Sequence, residues 1–115
     1  MQISATRGPG RIVATVSGEL DITTTPQLRQ VLHACIDQGA TALIADLTEV
    51  PSLDSTALGV FVSVQKRLRE FGDGLILVTP HEHLLRIFRM TGLDRVFTIV
   101  ATLPEATTTP DAAEV

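Results

Sequence analysis

The residues whose types and spacing could carry chemistry stand together at Asp54-Ser55-Thr56, directly ahead of the apolar start Ala57-Leu58-Gly59-Val60. A serine or threonine hydroxyl at the first turn of a helix meets free backbone N–H groups and the positive end of the helix dipole, so an anion there, including a phosphate carried on the hydroxyl, is tolerated. Asp, Ser and Thr are also the preferred helix caps, and capping alone accounts for the three residue types. Capping does not account for the strongly apolar helix face that comes directly after the hydroxyl pair and is available both to the core and to a partner surface. Ser55 lacks a Gly-x-Ser-x-Gly elbow, and no histidine is placed by sequence as its base, which leaves hydrolysis a poor reading. His33 is alone on its segment. His81 and His83 lie two apart with no further His or Cys cluster to complete a metal site, and all three read as ordinary polar positions.

These residues need elements to hold them. Ile3 to Thr6, the Gly-containing turn Arg7 to Gly10, and Arg11 to Ser17 predict an opening β-hairpin. Thr25-Pro26 then starts a helix whose apolar face is Leu28, Val31, Leu32, Cys35 and Ile36 and which Gly39 can end. Ala42 to Ala45 reads as a strand covered on both sides, followed by a loop from Asp46 to Leu53. From Ser55 to Phe71 the spacing predicts a second helix with Leu58, Phe61, Val62 and Leu68 as its main stripe, stopped at Gly72-Asp-Gly74. Leu75 to Val78 is another strand. Thr79-Pro80 prepares a third helix carrying Leu84, Ile87 and Phe88 and ending near Gly92, and Arg95 to Val100 supplies the last strand. The order β-β-α-β-α-β-α-β implies an α/β layered sheet, parallel apart from the opening hairpin. The site then falls at the carboxyl ends of the strands, where such sheets meet ligands and partners.

Composition narrows the function classes. The chain has 115 residues, 44% of them apolar and 19% charged, which suits one packed domain and not a disordered chain. Nine basic against thirteen acidic residues give a net charge of −4, and Glu105, Asp111 and Glu114 contribute three of those acids. With a near-neutral body, four Phe and no Tyr or Trp, a nucleic-acid groove is poorly supplied, so no direct nucleic-acid partner is expected. The longest nearly apolar run, Ala57 to Val64, is far short of the roughly 20 residues a membrane helix needs. A lone Cys35 and the lack of a leader pattern point to a cytoplasmic protein without membrane association. Residues 1–104 are expected to form the domain, with 105–115 as an acidic, Thr-rich tail that frays or begins a short helix at Pro104.

The stretch around Asp54-Ser55-Thr56, with Gly18-Glu-Leu-Asp21 before it and Thr91-Gly-Leu-Asp-Arg-Val-Phe97 after it, resembles the STAS domains of bacterial anti-sigma factor antagonists. The resemblance covers residues 1–104 in order and implies a STAS-like mixed sheet. It further implies that Ser55 is the phosphorylated serine, that Thr56 is the second hydroxyl, and that Asp21, Asp54, Ser55, Thr56, Leu58 and Gly59 form the partner-binding edge. Ala57 stands where the family usually has glycine, which narrows close approach by a partner backbone without removing the phosphoacceptor. For Asp21, a simpler role in the turn before the first helix stays open. The implied function is partner switching. The unphosphorylated chain binds an anti-sigma factor that is also a serine kinase and releases a sigma factor; phosphorylation breaks the complex and a PP2C-type phosphatase resets it. No cofactor of its own and no catalytic activity are expected. The alternative within the resemblance is a STAS scaffold or transport-complex subunit that phosphorylation does not regulate.

Overall fold

The computed structural model describes residues 1–8, 11–70 and 74–108, without the side chains of residues 105, 107 and 108. The expected tip of the opening turn (residues 9 and 10), the expected stop of the second helix at residues 72 and 73, and the tail from residue 109 lie outside the described residues.

Strands β1 (Gln2–Gly8) and β2 (Arg11–Ser17) pair antiparallel. The chain continues through α1 (Thr25–Asp37), β3 (Ala42–Glu49), α2 (Ser55–Arg69), β4 (Leu75–Val78), α3 (Glu82–Met90), a 3-10 turn (Leu93–Arg95), β5 (Thr98–Val100) and α4 (Leu103–Thr108). The sheet order is β1-β2-β3-β4-β5, and every pairing after the first is parallel. The α/β class and mixed sheet expected from the sequence are therefore observed.

Because the strand order follows the chain in one direction, right-handed crossovers put successive helices on one face of the sheet. The burial agrees. Ile12, Ala14 and Val16 of β2, Leu43, Ala45 and Leu47 of β3, and Leu75 and Leu77 of β4 share one core with Leu28 and Leu32 of α1, Phe61 of α2, and Leu84 and Phe88 of α3. The rings of Phe88 and Phe97 meet edge to face at 6.1 Å, tying α3 to the approach to β5. On the opposite face Ile44, Ile76 and Val78 pack with Ala106 of α4, so β3 and β4 are covered on both sides.

Several features differ from expectation. β1 reaches Gly8, past the expected turn start at Arg7, and α2 ends at Arg69 with Glu70 as its cap, short of Phe71. β3 does not end at Ala45. It runs to Glu49, because Leu47 enters the core while the Asp46 carboxylate accepts from the Thr48 amide at 3.1 Å and hydroxyl at 2.6 Å. β5 is only Thr98–Val100, since the preceding residues form the 3-10 turn. The buried stripe of α2 is Ala57, Val60, Phe61, Val64, Gln65 and Leu68, with Leu58 and Val62 only half-buried on its flank. Between positions 57 and 64 the helix is apolar nearly all round, so packing, not pattern, selects which side faces the sheet.

Candidate functional site

The site grows from an extension of the β2–β3 ladder. Past the formal strand ends, the Gly18 amide donates to the Glu49 carbonyl at 3.0 Å, Leu20 to Ser52 at 3.1 Å, and Asp54 to Leu20 at 3.0 Å. Leu20 and Leu53 form a parallel bridge. Two short backbone strips, Gly18 to Asp21 and Glu49 to Asp54, therefore run side by side and deliver Asp21 beside Asp54. Gly18 is needed where this begins: its φ is +90°, and a Cβ there would stand 3.1 Å from the Met1 Cα.

Asp54 is the N-cap of α2. Its carboxylate accepts from the backbone N–H of Thr56 at 2.9 Å and of Ala57 at 3.3 Å, and from the Thr56 hydroxyl. The Thr56 hydroxyl does most to hold the Asp54 carboxyl below the ordinary aspartate range, and the nearby Asp21 charge pushes the other way. Asp21 performs the corresponding task at the turn into α1. It accepts from the Thr23 amide at 3.0 Å, the Thr23 hydroxyl at 2.6 Å and the Thr24 amide at 3.3 Å, and it too is held low, chiefly by the Thr23 hydroxyl. The turn role open for Asp21 is thus filled, and the same residue lies on the edge that carries Asp54.

This arrangement separates the two hydroxyls. Thr56 is half-buried and its O–H is spent on Asp54; Ser55, the first residue of α2, is exposed and its hydroxyl makes no hydrogen bond among the described residues. One expectation needs correction. The Thr56 and Ala57 amides are not free to receive an anion on Ser55, because Asp54 already occupies them. The helix dipole still favours negative charge there. Ser55, Leu58 and Gly59 are spaced i, i+3 and i+4, one stripe of the helix, with Leu58 half-buried and Gly59 exposed.

Neither of the two histidines with a described ring contact reaches Ser55. The His81 Nε2–H donates to the Thr48 carbonyl at 2.7 Å, pinning the end of β3. His33 links α1 to α2: Arg67 can only donate, so Nδ1 accepts from it at 3.1 Å while Nε2–H faces the Ser63 hydroxyl at 3.3 Å. Burial first, then the charges of Arg67 and Arg29, hold the His33 pKa down, with Asp37 opposing. Among the described residues no group of three His, Cys, Asp or Glu side chains is placed to hold a metal, and no helix is long and apolar enough to cross a membrane.

Two residues with evident roles are not legible from the sequence pattern. Ile22, next to Asp21, is 70% exposed. The Asp-x-Thr-Thr pattern around it is the signal of a side-chain-closed turn that would present such a residue outward. Gln65, inside the polar end of α2, is buried and bonded to two other elements.

The fold is thus an α/β domain with a mixed five-stranded sheet that carries, on a capped helix start, a serine hydroxyl engaged by no described residue. The STAS domain model matches residues 2–106, and the chain belongs to that family. It is 39% identical to the anti-sigma-B factor antagonist of Bacillus subtilis over 90 residues, 78% of this chain and 82% of that one. Among solved structures it is similar to an anti-sigma factor antagonist from Mycobacterium paratuberculosis, with 31% identity, a TM-score of 0.85, and coverage of 93% of this chain and 91% of that one. It is also similar to the Bacillus cell fate determinant SpoIIAA in its phosphorylated form, with 25% identity, a TM-score of 0.72, and coverage of 92% and 96%.

Proposed function

We propose that this chain is an anti-sigma factor antagonist working by partner switching. Unphosphorylated, it binds an anti-sigma factor that is also a serine kinase, and a sigma factor is released. The kinase transfers the γ-phosphoryl group of ATP to the Ser55 oxygen, and a PP2C-type phosphatase hydrolyses the ester to restore binding. The observation that carries this reading is the exposed, unengaged Ser55 hydroxyl beside a Thr56 hydroxyl already committed to Asp54. The relatives named as anti-sigma factor antagonists, and the likeness to SpoIIAA solved in a phosphorylated form, support it. Asp21, Asp54, Leu58 and Gly59 frame the serine as the contact surface.

The test is phosphate incorporation. Incubated with its kinase and Mg-ATP, the wild-type chain is expected to gain one phosphoryl group by intact mass and Ser55→Ala none. Undiminished incorporation in Ser55→Ala would move the acceptor elsewhere.

Gly59 offers a second check. A glycine inside a helix costs about 1 kcal/mol relative to alanine, and a Cβ at Gly59 would meet nothing within 4 Å in this chain. Nothing inside the fold therefore calls for glycine. Gly59→Ala is expected to raise the melting temperature and, by filling the space a partner backbone approaches, to weaken kinase binding. A variant that melts higher and binds as tightly as wild type would remove Gly59 from the contact surface.

A further inference from the structure

Among the described residues, Ile22 is the large apolar side chain left exposed at the Ser55 end of the molecule. Of the exposed large hydrophobic residues, Met90 and Val96 lie beyond α2, at the end of α3 and before β5, whereas Ile22 directly succeeds Asp21. Its position is bounded by the ladder. Leu20 is bridged to Leu53, so with paired strands about 4.8 Å apart and about 3.8 Å per residue, the Ile22 Cα is within roughly 13 Å of the Leu53 Cα.

Ile22 is also held still. The Asp21 carboxylate closes the turn on Thr23 and Thr24, the Asp21 amide donates to the Thr24 hydroxyl at 2.9 Å, and the Thr24 and Thr25 amides donate to the Asp21 carbonyl at 3.0 and 2.9 Å. A β-branched side chain on a fixed turn has little rotamer freedom to lose on binding. The two backbone strips that meet beside it, Gly18 to Asp21 and Glu49 to Asp54, carry Glu19, Asp21, Glu49 and Asp54 and no Lys or Arg.

We infer that Ile22 is an apolar anchor of the partner surface, seated in an apolar socket of the anti-sigma factor kinase that is rimmed by basic side chains; this rests on the partner-switching reading above. The basic rim answers the acidic strips and speeds and orients encounter. The socket answers Ile22 and the half-buried Leu58, which supply the desolvated centre.

The test uses the purified anti-sigma factor kinase from the chain's own genome, titrated calorimetrically with wild type, Ile22→Thr and Met90→Thr. Ile22→Thr keeps a β-branched shape on an exposed turn, and its melting temperature is expected to match wild type. Its affinity is expected to fall about tenfold or more, by the same factor at low and high salt, while wild-type affinity falls as salt rises. Met90→Thr, at a still more exposed apolar site elsewhere, is expected to bind like wild type. Equal affinity of Ile22→Thr and wild type overturns the anchor and leaves partner switching standing. A loss shared by Met90→Thr, or one that shrinks at high salt, also overturns it. Failure of the wild-type chain to bind the kinase overturns both readings together.

Discussion

Ser55→Asp is expected to weaken binding to the anti-sigma factor kinase by about a hundredfold or more, the scale of burying a charge without a partner, while Ser55→Ala binds within a few-fold of wild type. The free chain gives no reason for the difference. Ser55 is exposed on the first turn of α2, where a carboxylate interacts favourably with the helix dipole. The Asp21 and Asp54 charges nearby oppose this only through solvent, so the melting temperature should move little. In the proposed complex the same group sits on the stripe of Leu58 and Gly59, within the desolvated part of the contact. There a carboxylate, and still more a phosphate of about −1.5 to −2 charges, must shed water without the Thr56 and Ala57 amides to replace it, because Asp54 holds them. Salt separates this cause from simple repulsion. Were repulsion between the chains dominant, high salt would restore binding of Ser55→Asp; desolvation predicts that it does not. Calorimetric titration of the two variants at two salt concentrations reads this directly, and wild-type affinity for Ser55→Asp would sink the switch.

The physics of each element explains how far the sequence could be read. β2 alternates inward Ile12, Ala14 and Val16 with outward residues, a period-two signal that needs no context. β4 is four apolar residues in a row, buried throughout. α1 announces itself through Pro26 and an unbroken apolar spacing. The β3 extension was hidden because Asp46, Thr48 and Glu49 look like a loop. What keeps them in the sheet is pairing with β2 and a local Asp46–Thr48 bond, neither of which periodicity records. At the site, the residue types at 54–56 and their place at a helix start were legible. The division of labour between Ser55 and Thr56 was not, since it depends on which hydroxyl the Asp54 carboxylate reaches. Ile22 escaped for a related reason: an apolar residue in a sequence is assigned inward by default, and only a closed turn sends it out.

Gln65→Ala is expected to be among the most destabilising single changes outside the hydrophobic core, at about 2–4 kcal/mol from lost hydrogen bonds, an unsatisfied amide and a cavity. Gln65 is 6% exposed on the core side of α2. Its Oε1 accepts from the Leu75 amide at 2.6 Å, and its Nε2 donates to the Val96 carbonyl at 2.7 Å. One side chain thus fastens α2 to the first residue of β4 and to the turn ahead of β5. Leu75 is 1% exposed, and its N–H relies on the Gln65 amide for its partner. Gly74 fits the same arrangement, because a Cβ there would lie 3.2 Å from the Gln65 Oε1. Gln65→Glu tests the hydrogen-bond account against simple packing. It preserves the volume and can still accept from Leu75, but when ionised it sets an oxygen against the Val96 carbonyl. Burial and that contact raise its folded-state pKa above the unfolded value of about 4.3. Relative to wild type, the stability of Gln65→Glu should therefore be greatest below that value, where the protonated acid donates to Val96, and should fall as pH rises through the raised folded-state pKa. Denaturant melts of wild type and both variants from acid to neutral pH measure this. A Gln65→Glu stability with the same pH dependence as wild type would reduce Gln65 to a space-filling residue.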